Sequence, residues 1–301
     1  MKKNKKTLLL VREQDKLMKK VMEYNFKDAE VRVIPESYTP FDREDLATEI
    51  NNNYENLILY SYYDQFNELL PLIKKTVHRK WIVDFSVSAL SISYIFQNLT
   101  LLLEYQDRGL IDTIASIQYS LYATFKDRMK YIVLDYEDNN KTKKEDRIGI
   151  LNKDYEDIAN FYNEISGVAI SSIKKARVLN AINPTLAFSK DFNVELEIEK
   201  DIEKLVYGNK VNLDVEFSDI SPITFIMSMD AGIPCILGNT PLLANSELED
   251  MLVVDSDDDV EEIKDKIEYA LENTDKIMKK YEKWRADYKK LSSKTIEEFM
   301  K

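Results

Sequence analysis

Cysteine and histidine are almost absent from this sequence, which contains one of each, Cys235 and His78. A single cysteine excludes an internal disulfide and a cysteine-based metal cluster, and a single histidine excludes zinc motifs built on two histidines. Glycine and proline are also scarce, with 6 and 7 residues in a chain of 301. This scarcity argues against a turn-rich all-β sandwich.

Long apolar runs are missing as well, and none approaches the ~18 residues that cross a bilayer. The lysine-rich start of the chain resembles a secretion signal only superficially. Its apolar stretch, Thr7–Val11, is shorter than the roughly 7–15 residues of a signal-peptide core, and Arg12 and Glu13 follow at once. We therefore expect this stretch to form a buried strand and the protein to be cytoplasmic.

Positively charged residues are outnumbered by negatively charged ones. The sequence contains 42 lysines and arginines and 54 aspartates and glutamates, which gives a net charge of −12. Proteins that bind nucleic acid need clustered Lys and Arg on one face, so we expect no nucleic-acid partner. The hydrophobic share of 44% and charged share of 32% are typical of a globular protein with a core.

Short apolar runs rich in β-forming residues alternate with longer helical patterns along the chain. Strands are predicted, for example, at Thr7–Val11, Trp81–Phe85 and Arg147–Leu151, and helices at Gln65–Thr76 and Ser88–Tyr105. This alternation predicts parallel sheets joined by helical crossovers, which is an α/β fold.

The alternation occurs twice, on either side of the polar, charged stretch Glu137–Arg147. This stretch has the composition of a linker. We predict a Rossmann-like parallel-sheet domain over residues 1–140, a second one over 147–280, and a C-terminal helix over 281–301 that packs back on the first domain. In doubly wound domains of this kind, ligands bind at the carboxyl ends of the strands.

The most informative pattern lies between residues 212 and 240. A predicted strand ends at Phe217, the polar turn Ser218–Ser221 follows, and Pro222 takes the first position of a helix predicted over Pro222–Asp230, where proline is favoured. Ser221 is the natural N-cap. The exposed amides and positive dipole of such a helix start favour an anion such as a diphosphate. An ordinary strand-to-helix turn without a ligand explains these residues equally well.

The same segment resembles the donor-binding region of retaining GT-B glycosyltransferases of the GT4 type, also called glycosyl transferases group 1. The residues Ala231–Thr240, AGIPCILGNT, are similar to the Gly-x-Pro and strand that follow the donor helix in that family. Asp219 falls on the first of the family's two acidic positions. The resemblance covers about Arg147–Lys301 and is only architectural over the first half.

The resemblance implies a metal-independent hexosyltransferase in glycan biosynthesis, which moves a sugar from a nucleotide-sugar donor to a glycan, lipid-linked or protein acceptor. It implies no cofactor, since the nucleotide-sugar is a substrate, and it leaves room for a peripheral membrane or protein partner. Asp219 would be catalytic, through the donor sugar hydroxyls. The donor-binding residues would be Lys153, Ser221, Pro222, Ile223, Thr224 and Met227.

A second candidate catalytic residue, Asp84, follows the predicted strand Trp81–Phe85. At a strand end it would contact an acceptor hydroxyl. The simpler alternative is that its carboxylate caps the next helix.

Three departures from the family pattern favour a different class of function. Met227 occupies the second acidic position, and methionine cannot replace the glutamate that accepts the ribose hydroxyls there. The glycine-rich turn after the first strand is replaced by Arg12, Glu13 and Gln14. The histidine after a strand of the first domain is missing, because that position reads Asp84, Phe85, Ser86. The alternative is a catalytically degenerate GT-B-like binding or partner subunit.

Overall fold

The computed structural model describes residues 7–13, 16–35, 43–84, 92–138, 143–151, 175–179, 195–199, 201–215, 222–256 and 259–301. Their contacts divide the chain into two units. The first contains the described residues up to Asp135 together with Lys289–Lys301, and the second contains those of Tyr136–Tyr288. Each unit is built around one parallel β-sheet.

The sheet of the first unit has six strands among the described residues, in the order β2-β1-β3-β4-β5-β6. All neighbouring strands are parallel. The strands are β1 Thr7–Arg12, β2 Ala29–Ile34, β3 Asn56–Tyr60, β4 His78–Val83, β5 Thr113–Ser116 and β6 Met129–Tyr131. The helices are α1 Lys16–Asn25, α2 Arg43–Asn53, α3 Asp64–Leu69, α4 Ile92–Asp107 and α5 Tyr119–Thr124.

The apolar run at the start of the chain explains the central place of β1. Four consecutive residues, Leu8 to Val11, are fully buried. Because successive side chains of a strand point to opposite faces, such a run requires cover on both faces of the sheet. The stretch Thr7–Val11, which the sequence predicts as a buried strand, therefore forms a buried strand.

The sheet of the second unit has five strands among the described residues, in the order β11-β10-β7-β8-β9, and all are parallel. They are β7 Ile148–Ile150, β8 Lys175–Leu179, β9 Glu195–Glu199, β10 Val211–Asp214 and β11 Cys235–Leu237. The helices are α6 Ile202–Val206, α7 Pro222–Asp230, α8 Glu249–Leu252 and α9 Val260–Glu272. A bridge from Leu237 to Val253 extends the sheet beyond β11, which gives the order of a doubly wound nucleotide-binding fold.

The last helix, α10 (Thr274–Met300), ends on the first sheet. The buried Lys80 of β4 donates from Nζ to the carbonyls of Phe299 and Met300, at 2.6 and 2.7 Å. Lys130 of β6 donates to the carbonyl of Glu298 at 2.6 Å. The final carbonyls of a helix have no partner within it, and cations there also complement the helix dipole. Two strands of the first sheet thus fix the end of α10.

These observations confirm the predicted fold class, two Rossmann-like parallel-sheet domains with a C-terminal helix that packs back on the first. The domain limits 1–140, 147–280 and 281–301 stay a prediction. No helix among the described residues combines the length and the apolar character needed to cross a bilayer.

Candidate functional site

In the second sheet, the direction in which the chain adds strands reverses between the neighbouring strands β7 and β10. From β7 the chain continues to one side through β8 and β9, whereas β10 lies on the other side of β7 and leads to β11. The two strands are paired in register, with Leu213 opposite Ile150, and the amide of Leu151 donates to the carbonyl of Leu213 at 2.7 Å. Open α/β sheets bind ligands outside the carboxyl ends of the strands at such a switch point. This edge is our candidate site.

Helix α7 begins at this edge and is attached to the end of β10. Asp214, the last residue of β10, is 3% exposed, and its Oδ2 accepts a hydrogen bond from Thr224 Oγ1 at 2.9 Å. Thr224 is the third residue of α7. The N–H groups of a first helical turn are not used by the helix itself, so this bond holds the positive end of α7 at the switch point.

The rest of α7 is buried. Its residues from Ile223 to Met229 are all buried, while Pro222 and Asp230 at the two ends are half-buried. Phe225 packs its ring edge-on against Tyr281 and Trp284 of α10, with centroids 6.0 and 5.5 Å apart. Within α7 the accessible residues are therefore the two at its ends, and the N-terminal end is the one at the candidate site.

A buried polar network also fixes α7 one turn further along, at Ser228. Asn212 of β10 donates from Nδ2 to Ser228 Oγ at 2.8 Å, and Ser228 donates in turn to the carbonyl of Ile233 at 2.8 Å. Asn209 donates to Asn212 Oδ1 at 2.7 Å and accepts from Arg147 Nε at 3.0 Å. Buried polar networks with satisfied partners define a single arrangement of the core. The network holds α7, β10 and the start of β7 together.

Gly149 of β7 makes room for this network. A Cβ atom at this position would lie 2.2 Å from Asn212 Oδ1 and 2.3 Å from Asn209 Nδ2. No real Cβ approaches a neighbouring atom so closely. Glycine is therefore required in the middle of the central strand, next to the candidate site.

The predicted donor residues fall into two groups. Pro222, Ile223, Thr224 and Met227 lie in α7, and Thr224 has the additional contact to Asp214 that the sequence did not indicate. Asp219, Ser221 and Lys153 lie outside the described residues. In the sequence, Lys153 follows β7, and Asp219 and Ser221 follow β10.

Met227, the position that departs from the resembled family, is 1% exposed. It lies four residues after Ile223 on the same face of α7, one turn below the N-terminal end. A carboxylate introduced there would have to be buried or to displace its neighbours, and an unpaired buried charge is costly.

Asp84, the second predicted catalytic residue, belongs to the first unit. It follows β4, is half-buried, and its Oδ2 accepts a hydrogen bond from the hydroxyl of Tyr60. Tyr60 is the last residue of β3 and is 1% exposed. Sequence reasoning missed Tyr60, because its hydrophobic strand pattern is that of a core residue.

Two other observations limit the chemistry of the described residues. Burial and the charge of Asp214 raise the pKa of the Cys235 thiol well above its usual value, so this cysteine stays protonated and inert. The described part of the chain also contains no group of three or more His, Cys, Asp or Glu side chains that could hold a metal ion. Metal-independent chemistry itself stays a prediction.

Solved structures that align with nearly the whole chain identify the fold. Anabaena HepE, determined in complex with UDP and glucose, is 11% identical and aligns with a TM-score of 0.64 over 98% of this chain and 97% of its own. A glycosyltransferase from Rickettsia africae is 11% identical and aligns with a TM-score of 0.58 over 96% and 95% of the two chains. This chain has the GT-B fold.

A third GT-B structure is longer. A variant of S. aureus TarM, determined with fondaparinux, alpha-GlcNAc-glycerol and UDP, is 11% identical and has a TM-score of 0.60. The alignment covers 84% of this chain, which spans only 57% of the TarM chain. No protein-family model and no curated protein sequence matches the chain. At these identities the likeness concerns the fold alone.

Proposed function

We propose that this GT-B protein is a glycosyltransferase that moves a sugar from a nucleotide-sugar donor to an acceptor hydroxyl. The donor nucleotide would bind to the second unit, at the carboxyl edge between β7 and β10. The observation that carries the proposal is the attachment of the first turn of α7 to this edge through Thr224 and Asp214. The GT-B likeness to structures solved with UDP supports a nucleotide as the ligand.

The diphosphate of the donor would lie at the N-terminal end of α7. The amides of Ile223 and Thr224, together with Ser221 at the cap, would donate to its oxygens. The buried carboxylate of Asp214 lies under the same turn and would repel a bound anion. A cation is therefore needed as well, and Lys153 is our candidate. Stabilising the leaving diphosphate in this way needs no metal ion.

Asp219 would bind the hydroxyls of the donor sugar, and the first unit would bind the acceptor, with Asp84 contacting its hydroxyl. The acceptor would be a glycan, a lipid-linked molecule or a protein, and the transferred sugar a hexose. These assignments, the domain limits given above and a cytoplasmic location are parts of the proposal.

The release of the nucleotide (UDP, GDP or ADP from the diphosphate-linked sugars, CMP from the CMP-linked one) from a panel of UDP-, GDP-, ADP- and CMP-linked sugars tests this function. We expect one donor to be consumed, and Asp219→Asn to lower the rate by about 100-fold, the usual effect of removing an electrostatic contact to the reacting group. Asp127→Asn, an exposed position of the first unit, is the control and should keep the rate. Unchanged turnover in Asp219→Asn would contradict the assigned role.

A binding or partner subunit without turnover is the second candidate. It is favoured by Met227, which offers no acceptor for ribose hydroxyls and is buried in the core of the second unit. The two functions differ in one result. A catalytically degenerate protein binds the nucleotide-sugar and leaves it intact in the presence of any acceptor, whereas the enzyme releases the nucleotide.

A further inference from the structure

The carboxyl ends of β3 and β4 in the first unit contain a residue in an unusual conformation. Ser61, which follows β3, has a φ of +62°. This left-handed region is uncommon for residues other than glycine and costs energy. Such a residue persists only where its surroundings hold it.

Ser61 is held by hydrogen bonds to both of its backbone groups. Its amide donates to the carbonyl of Ile82 at 2.9 Å, and its carbonyl accepts from the indole Nε1 of Trp81 at 2.7 Å. Trp81 is fully buried and packs against the ring of Phe66, with centroids 5.7 Å apart. The turn after β3 is therefore fixed to β4 and to the core beneath it.

This fixed turn determines where the hydroxyl of Tyr60 lies. Tyr60 immediately precedes Ser61, is paired in register with Ile82 of β4, and is 1% exposed. From this position its hydroxyl donates to Oδ2 of Asp84, which is half-buried at the end of β4. A buried phenol on a rigid strand restricts the orientation of a carboxylate far more than water can.

The location of this pair is the second reason to assign it a role. In the first sheet the strand order is β2-β1-β3-β4, so the chain changes direction between β1 and β3. The carboxyl end of β3 is thus beside the switch point, the edge where doubly wound sheets bind ligands.

We propose that Tyr60 is a positioning residue for Asp84. By donating to one carboxylate oxygen it keeps the group in one orientation, in which Asp84 accepts a hydrogen bond from the hydroxyl of the acceptor. Tyr60 itself does not touch the substrate. The inference rests on the proposed function, since it gives Asp84 an acceptor to bind.

The variant Tyr60→Phe tests this role, because it removes the hydroxyl and keeps the ring. Tyr54→Phe is a matched control: the hydroxyl of Tyr54 also donates to a carboxylate, Glu30 Oε2 at 2.8 Å, but Tyr54 precedes β3 at its amino end. We expect kcat of transfer to fall about 10- to 100-fold in Tyr60→Phe, the loss of one hydrogen bond to a charged group. The KM for the donor should not change.

A double-mutant cycle separates positioning from a merely structural role. In an Asp84→Asn background, Tyr60→Phe should have no additional effect on kcat. If Tyr60→Phe lowers the melting temperature more than Tyr54→Phe does, this double-mutant cycle still tests the positioning role.

The outcomes distinguish this inference from the proposed function. Wild-type protein that transfers sugar while Tyr60→Phe keeps its kcat would overturn the positioning role alone. The same holds if Asp84→Asn lowers only the melting temperature, since Asp84 would then be a structural cap. Wild-type protein that consumes no donor would overturn both.

Discussion

Thr224→Val removes the hydrogen bond that attaches α7 to the end of β10 and nearly conserves the volume of the side chain. The lost bond, 2.9 Å long, goes to the carboxylate of Asp214, which is 3% exposed. Hydrogen bonds to charged groups contribute about 1.5–3 kcal/mol, and a buried acceptor that loses a partner keeps its desolvation penalty. We expect a loss of about 2 kcal/mol in the free energy of unfolding of the second unit.

Calorimetry measures this loss as a shift of the transition of the second unit. For a domain of about 150 residues, 1 kcal/mol corresponds to roughly 2–4 °C, so the expected shift is about 4–8 °C. Thr100→Val is the matched control, because Thr100 also donates from Oγ1 within a helix, to the carbonyl of Phe96 at 2.7 Å, but is exposed. Thr100 belongs to the first unit, so its effect acts on the transition of that unit, and it should stay within about 0.5 kcal/mol.

The same variant should bind the nucleotide less tightly, since the first turn of α7 is no longer fixed at the switch point. Equal, small shifts for Thr224→Val and Thr100→Val would refute the claim that this bond positions the helix. The double variant Thr224→Val/Asp214→Asn then measures the coupling of the pair directly.

Two further predictions concern the core and the end of the chain. Gly149→Ala should destabilise the second unit by about 1–3 kcal/mol in denaturant unfolding, because the Cβ of the alanine would displace the amide of Asn212 from the buried network. An effect below about 0.5 kcal/mol would contradict the assigned packing. Burial, and secondarily the charge of Lys130, lowers the pKa of Lys80 to about 8. The unfolded chain then binds more protons than the folded one between pH 8 and about 10.5, so the free energy of unfolding should rise with pH across this window. Lys80→Met should lack this rise, and an identical pH dependence in the two proteins would contradict the prediction.

The elements that the sequence predicted best are those with strong local signals. Helix α7 was predicted over Pro222–Asp230 and is observed there, because proline favours the first helical position. Its end is marked by Gly232, whose φ is +74°, a conformation that glycine adopts without strain.

Two predicted limits were wrong, one at a proline inside the predicted helix and one where charged residues have distant partners. The helix predicted over Gln65–Thr76 ends at Leu69 and continues only as a 3₁₀ turn over Leu70–Leu72. Pro71 explains the stop, because its ring is incompatible with the interior of an α-helix. The strand predicted over Trp81–Phe85 begins earlier, at His78.

The charged residues Arg79 and Lys80 explain why the sequence did not predict the start of β4. Arg79 is 3% exposed and pairs with Asp112, with Nε 3.1 Å from Oδ2. Lys80 bonds the end of α10. Both partners lie far along the chain, so no local pattern shows that these two positions belong to a buried strand.

The candidate site was predictable only in part, for the same reason. The start of α7 at Pro222 could be recognised, because proline at the first helical position is a local signal. The bonds from Thr224 to Asp214 and from Tyr60 to Asp84 connect residues 10 and 24 positions apart. Side chains that meet across a sheet leave no spacing rule in a single sequence.

The central claim is that the second unit holds a nucleotide at the carboxyl edge between β7 and β10, at the first turn of α7. Amide hydrogen exchange of the wild-type protein, with and without millimolar UDP, GDP, ADP or CMP, tests it most directly. We predict that one nucleotide slows exchange in the peptides that cover residues 148–153 and 216–228 and leaves the strands of the first sheet unchanged. Slower exchange confined to the first unit, or no change with any of the four nucleotides, would contradict the account.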